Sequence, residues 1–228
     1  MSGVDYISNP NQRTPCVLVL DTSGSMESQT SSGRTRIQEL NLGLEAFHAS
    51  LQEDPAALTR VQVGIITVGG PSNDASVMMD WTDANYFEPF PLVADGLTPL
   101  GEGLRLALAM VEQAKQNLRS SGISYTRPWI MVITDGEPTD DEATWQAAIQ
   151  ECQAAENGRK AEIFMIGVED ANLSMMSQLA KRPPLMLEGM KFKELFVWLS
   201  ASLSAASRSR PGDNVQLANT DPWRNVGV

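Results

Sequence analysis

Two aspartates in this 228-residue chain each end a short apolar run and lead into a turn of small residues: Asp21-Thr-Ser-Gly-Ser25 and Asp135-Gly136. In the first, Asp21, Ser23 and Ser25 alternate. In an extended loop, alternation points all three side-chain oxygens the same way. One carboxylate and two hydroxyls are hard donors, suited to Mg2+ or Mn2+ rather than to zinc. Asp135 adds a second carboxylate. Thr98, within Leu97-Thr-Pro-Leu-Gly-Glu-Gly103, adds a third hydroxyl from a loop that opens a helix. The chemistry open to these five residues is the holding of a small divalent cation through oxygen.

Other chemistries lack their residues. The single histidine, His48, lies between Leu44 and Leu51 on a helical apolar stripe and reads as a core or boundary residue. Neither loop serine sits in a nucleophile elbow, which removes the basis for a Ser-His-Asp hydrolase. A phosphohydrolase of the haloacid dehalogenase type needs a second aspartate two residues after the first, as general acid, and that position is Ser23. No Gly-x-x-x-x-Gly-Lys loop is present for a nucleotide. Two cysteines and one histidine cannot build a zinc ribbon, and Cys16 and Cys152 read as buried thiols of a reducing compartment. The expectation is a chain that is not an enzyme.

The elements that must position the five residues read as alternating strands and helices. Val17 to Leu20, Val61 to Val68, Trp129 to Thr134 and Ile163 to Val168 are continuous apolar runs, the pattern of parallel strands covered on both faces. Met78 and Met79 suit an edge strand, and Leu185 to Leu187 a short one. Helical spacing joins Ile37, Leu40, Leu44, Phe47 and Leu51; Leu104, Ala107, Leu108, Val111 and Leu118; Trp145, Ala148, Ile149 and Cys152; and Phe192, Leu195, Phe196, Leu199 and Leu203. A short helix is predicted over 173–181. Thr35 with Gln38, and Thr139 with Glu142, have the spacing of capping boxes. Such alternation predicts an α/β fold, a mostly parallel sheet with helices on both faces, which binds ligands beyond the carboxyl ends of its strands. The domain is expected over 16–206. A short segment, 1–15, precedes it, and a polar tail, 207–228, follows, with Trp223 as an apolar anchor onto the domain.

Charge narrows the partners. Seventeen basic residues against 28 acidic ones give a net charge of −11, which argues against nucleic acid and anionic lipid. No apolar run approaches the roughly 20 residues of a membrane span. The first residues lack the basic-then-apolar layout of a secretory leader, and a cytoplasmic location is expected. No Lys or Arg occurs between Arg60 and Arg105, where six acids lie, nor between Arg127 and Arg159, where seven lie. If these acids face the site, they favour a cation and select a partner with one key carboxylate in a basic surround. The alternative is that many are solvated acids at helix starts, favoured there by the helix dipole.

Asp21, Ser23, Ser25, Thr98 and Asp135 together resemble the metal-ion-dependent adhesion site of the von Willebrand factor A family, in that family's order. The strand and helix pattern from about Cys16 to Ala206 is similar to it as well. The resemblance implies a Rossmann-like sheet with one antiparallel edge strand and a bound Mg2+, with Mn2+ or Ca2+ as alternatives. It implies that Ser23, Ser25 and Thr98 touch the metal while Asp21 and Asp135 act largely through water. An open coordination position would then take a carboxylate from another protein, with Glu27, Glu102 and Glu137 at the rim. The segments 127–140, 182–185 and 192–207 resemble the bacterial TerY-like branch associated with tellurium resistance. That branch implies a cytosolic role in tellurite or stress response, and a protein kinase or PP2C-type phosphatase of the same gene cluster as partner. The loop from Glu27 to Gly33 is longer than is usual in the family and is placed to cover the site or carry partner contacts. Beside the protein-binding reading stand a structural subunit with an idle metal site and a metal-dependent phosphohydrolase.

Overall fold

Nine consecutive residues, Thr14–Thr22, form the central strand β1, and all nine are buried. Its side chains alternate between two core layers. Cys16, Leu18 and Leu20 meet one layer, and Val17 and Val19 the other. A strand covered on both faces needs no polar alternation, which is why its sequence is continuously apolar. In this computed structural model, which describes Val4 and residues 9–169, 171–187, 191–209 and 217–219, five further strands follow: β2 (Val61–Gly69), β3 (Asp74–Asp83), β4 (Trp129–Thr134), β5 (Glu162–Val168) and β6 (Leu185–Leu187).

They form one sheet in the order β3-β2-β1-β4-β5-β6, with every pair parallel except the edge pair β2–β3. Six helices accompany them among the described residues: α1 (Arg36–Gln52), α2 (Pro55–Arg60), α3 (Leu100–Ser120), α4 (Glu142–Asn157), α5 (Leu173–Met176) and α6 (Phe192–Arg208). The residues of α1 and α6, among them Leu40, Leu44, Phe47, Phe196 and Leu199, fill one layer. Those of α3 and α4, among them Leu104, Ala107, Trp145 and Ile149, fill the other. The α/β fold expected from the sequence, with its antiparallel edge strand near Met78, is the fold observed. The chain leaves β1 for β2 on one side and later crosses back to β4 on the other. The carboxyl ends of β1 and β4 therefore border the switch point at which such sheets bind ligands.

Local signals account for most element boundaries. The Thr35 capping box is present: Gln38 N donates to Thr35 Oγ1 at 3.4 Å and Thr35 N to Gln38 Oε1 at 3.0 Å. The second box is not. The cap of α4 is Asp141, which accepts from Thr144 N at 3.0 Å, while Thr139 is engaged elsewhere. The helix predicted over 173–181 stops at Met176, and the chain continues in three-residue turns, Gln178 N to Met175 O and Leu179 N to Met176 O, both 3.1 Å. Helix α2, unanticipated, is started by Asp54, which accepts from Ala56 N and Ala57 N, with Pro55 in the first turn. His48 is half-buried, edge-on to Phe87 with ring centres 6.0 Å apart.

Among the described residues, the strands and helices run from Thr14 to Arg208. Beyond it, Leu217 and Ala218 pack on the core, and Ala218 O accepts from Trp198 Nε1 at 2.7 Å. Trp223 lies outside the described residues. Cys16 and Cys152 are buried free thiols, both pushed up by burial, Cys152 to about 12. No described helix is long and apolar enough to cross a membrane.

Helix α3 can lie close on β2 because residue 103 is glycine. A methyl there would run into Val68 Cγ1 and come within 3.4 Å of Val19 Cγ1. Gly103→Ala is therefore expected to lower stability by about 1–3 kcal/mol through overpacking, exceeding the ~1 kcal/mol gain in helix propensity. Urea denaturation monitored by circular dichroism checks it, and an unchanged or raised midpoint would contradict this packing.

Candidate functional site

Asp21 is the next-to-last residue of β1 and is completely buried. No basic side chain among the described residues reaches it. Its Oδ1 accepts from Ser23 N at 2.8 Å, and its Oδ2 from Thr134 Oγ1, the last residue of β4, at 2.5 Å. Burial pushes its carboxyl above the usual carboxylate range. The hydrogen bonds from Ser23 and Thr134 offset part of that push, and the nearby charge of Asp135 adds to it.

After Ser23 the chain enters a 3-10 turn, Gly24–Glu27, anchored by Gly24 N on Gly96 O at 3.0 Å. Ser23 Oγ lies 3.0 Å from Ser25 Oγ, and Ser25 Oγ donates to Asp135 Oδ1 at 2.7 Å. Thr98 is fixed from the β4–α4 loop. Thr98 N donates to Thr139 Oγ1 at 3.0 Å, Thr139 N to Thr98 O at 2.9 Å, and Asp140 accepts from Gly101 N and Glu102 N at 2.8 and 3.0 Å. Asp140 thus caps α3, a helix distant in sequence, and clamps the loop of Thr98 to the loop of Asp135.

These constraints bring the five sequence-predicted residues together. A β-carbon on Gly136 would sit 3.4 Å from Thr98 Oγ1 and 3.9 Å from both Asp21 Oδ2 and Ser25 Oγ. Oxygens from the end of β1 and its turn and from the Thr98 loop therefore border the space beside Gly136, and Ser23 and Asp135 join them through their hydrogen bonds with Ser25. The three glutamates expected at the rim occupy exposed positions. Glu27 ends the 3-10 turn, Glu102 is in the first turn of α3, and Glu137 accepts from Asn172 Nδ2 at 2.9 Å. Of the acids flanking the loops, Asp140 and Asp141 serve as helix caps, in keeping with the helix-start reading for these two.

Two charged residues at the site were not among the sequence candidates. Arg36, the first residue of α1, donates from Nη1 to Asp135 Oδ2 and from Nη2 to Glu169 Oε2. Its side chain is 13% exposed, and that of Asp135 is fully buried. Glu169 follows β5 in a left-handed conformation, φ 49°. Neither residue belongs to a local motif. Their one sequence signal is position, immediately after a capping residue and immediately after an apolar strand.

The donor set fits a small hard cation. Among the described residues no three His, Cys, Asp or Glu side chains form a metal-holding group, so binding here would depend on the hydroxyls. Three hydroxyls and two carboxylates around an open space are the chemistry that Mg2+ favours, with waters completing the shell. The same set is unsuited to zinc.

The family model for the von Willebrand factor type A domain matches residues 16–138, more than half of the chain. No curated protein matches it. Among solved structures, the pilus adhesin SpaC from Lactobacillus rhamnosus GG is similar with a TM-score of 0.64 at 18% identity, over 85% of this chain and 31% of that one. The PilB minor pilin from Streptococcus sanguinis is similar with a TM-score of 0.60 at 12% identity, over 85% and 62%. The vWF domain of the type V pili tip protein Mfa5 from Porphyromonas gingivalis has a TM-score of 0.59 at 10% identity, over 89% and 99%. The chain spans less than a third of SpaC and under two thirds of PilB. At these identities the likeness is one of fold.

Because burial raises Asp21, the folded chain holds that proton to higher pH than the unfolded chain does. The associated stability is present at acid pH and is lost as pH rises through the folded-state value. Asp21→Asn, which keeps the shape and removes the charge, is expected to raise the stability of chelator-treated protein at pH 7 by about 1–3 kcal/mol. The gain should shrink as the buffer is made acidic. Melting temperatures of both proteins from pH 4 to pH 8 test this, and a variant less stable at every pH would contradict it.

Proposed function

Because the chain belongs to the von Willebrand factor type A domain family, we propose that it is a protein-binding module, not an enzyme. In this reading it captures a partner's carboxylate through a divalent cation held by Asp21, Ser23, Ser25, Thr98 and Asp135. The observation that carries the reading is that Thr98, Asp21 and Ser25 oxygens border the space beside Gly136, with Ser23 and Asp135 joined to them through Ser25 Oγ, at the switch point between β1 and β4. A bound Mg2+, or Mn2+ or Ca2+ in its place, supplies positive charge and a coordination position for an acidic ligand. The chain's own residues do the rest. Ser23, Ser25 and Thr98 are neutral donors and leave the cation's charge largely intact. Asp21 and Asp135 would balance its charge. The clamp of Thr139 and Asp140 keeps Thr98 in register with Asp135. Glu27, Glu102 and Glu137 at the rim would disfavour a partner with a broadly acidic face and admit one carboxylate in a basic surround.

We further assign the chain to a bacterial, cytoplasmic setting of tellurite or stress response, with a kinase or PP2C-type phosphatase as partner. This assignment rests on the resemblance of segments 127–140, 182–185 and 192–207 to the TerY-like branch. A structural subunit with an idle site is the second reading, and the Arg36–Asp135 ion pair favours it, since that carboxylate already has a counter-charge.

Calorimetric titration of Mg2+ into wild type and Ser25→Ala tests the cation. Ser25 is exposed, so its loss leaves the core intact. Affinity is expected to fall at least about tenfold, the scale on which metal-site support is felt. Equal heats in the two proteins would remove the metal from the proposal. Pull-down of the candidate kinase and phosphatase with Mg2+ and with chelator tests the partner. Retention that ignores the chelator would favour the structural subunit.

A further inference from the structure

The residue that the cation reading leaves unexplained is Arg36. It stands at the first position of α1, where the helix dipole opposes a positive charge. Its Nε is buried and makes no hydrogen bond to the described residues. What holds it is the pair of carboxylates, Asp135 on one nitrogen and Glu169 on the other. Glu169 makes its contact from a left-handed backbone, which an L side chain adopts at some cost. The loop ahead of α1 shapes this contact. Gln29 bridges Thr35, Thr30 N donates to Arg34 O at 2.8 Å, and Arg36 N donates to Ser28 O at 3.0 Å. The long loop after the 3-10 turn thus forms a small hairpin that delivers Arg36 to Asp135.

We propose that Arg36 is a resident counter-cation of the site, one that a divalent cation must displace from Asp135. This inference rests on the metal reading above. Both oxygens of Asp135 are engaged, Oδ1 by Ser25 and Oδ2 by Arg36, and a guanidinium cannot shed its charge by deprotonation. Cation binding and the ion pair draw on one carboxylate, so each weakens the other. Arg36 thereby sets the cation concentration at which the site fills. Its release, with Glu169 left as its remaining partner, passes occupancy on to the hairpin over 28–35 and to the end of β5.

The test is Mn2+ titration by calorimetry, together with melting temperatures with and without Mn2+, on wild type, Arg36→Gln and Arg34→Gln. Arg34 is exposed, pairs with Glu39 and carries the same charge two residues away, where solvent and salt screen it. Arg36→Gln is expected to bind Mn2+ about tenfold more tightly or better, and Arg34→Gln within about twofold of wild type. Arg36→Gln should also melt lower than wild type in chelator and gain more on adding Mn2+. Should that variant fail to fold, Arg36→Lys keeps the charge but loses the two-pronged grip, and a smaller gain that still exceeds that of Arg34→Gln is expected. Equal or weaker binding by Arg36→Gln, or equal effects of both glutamine variants, would overturn the inference while leaving the metal site standing. Absence of Mn2+ binding in all the proteins would instead overturn the metal reading, and this inference with it.

Discussion

A carboxylate with no exposed surface, at the end of the central strand β1 and without a basic partner among the described residues, is the constraint around which this site is organised. Asp21 is held by one backbone N–H and one threonine hydroxyl. An unpaired charge in such a position is costly unless its lone pairs are filled. The donors come from the next loop residue but one and from the last residue of the neighbouring strand. Filling them therefore fixes the turn after β1 and its alignment with the end of β4. The shape of the sheet and the polarity of its carboxyl edge are then two aspects of one arrangement.

The same loops are tied to one another rather than to solvent. Thr98 would otherwise sit at the end of a long irregular segment, from Phe87 to Pro99, with little regular structure to place it. Four hydrogen bonds from Thr139 and Asp140 replace that missing structure. Asp140 is used twice, as acceptor for two orphan amides of α3 and as a brace for the loop that begins at Asp135. A ligand set drawn from three loops is precise only if the loops move together, and these contacts supply the coupling.

How much of this was legible in the sequence follows from how far each interaction reaches. Strands β1, β2, β4 and β5 declared themselves because both faces are covered, and Thr35 with Gln38 declared a helix start because capping is local. The five polar residues that the structure brings together at the ends of β1 and β4 were legible by type and order. Thr139 misled for the opposite reason. Its spacing to Glu142 is that of a capping box, but its hydroxyl accepts from Thr98 N, 41 residues earlier, and Asp141 takes the cap. Helix α5 ended early because turns of three residues take over after Met176, which no apolar period reveals. Arg36 and Glu169 were invisible as site residues, since their link spans 133 positions and joins no motif.

Charge at the cluster also bears on why an acidic ligand could be taken by an acidic chain. Asp21, Asp135 and Glu169 oppose Arg36 alone, so with all three ionised the cluster carries two excess negative charges. A divalent cation would cancel that excess. Without one, burial favours a proton on Asp21, and Arg36 covers Asp135. Proton, guanidinium and metal ion are then alternative answers to the same buried charge. Attraction for a partner carboxylate would come from a cation's open coordination position. Binding by such a site would be conditional by construction, present when the cation has displaced the internal positive charge and absent when it has not.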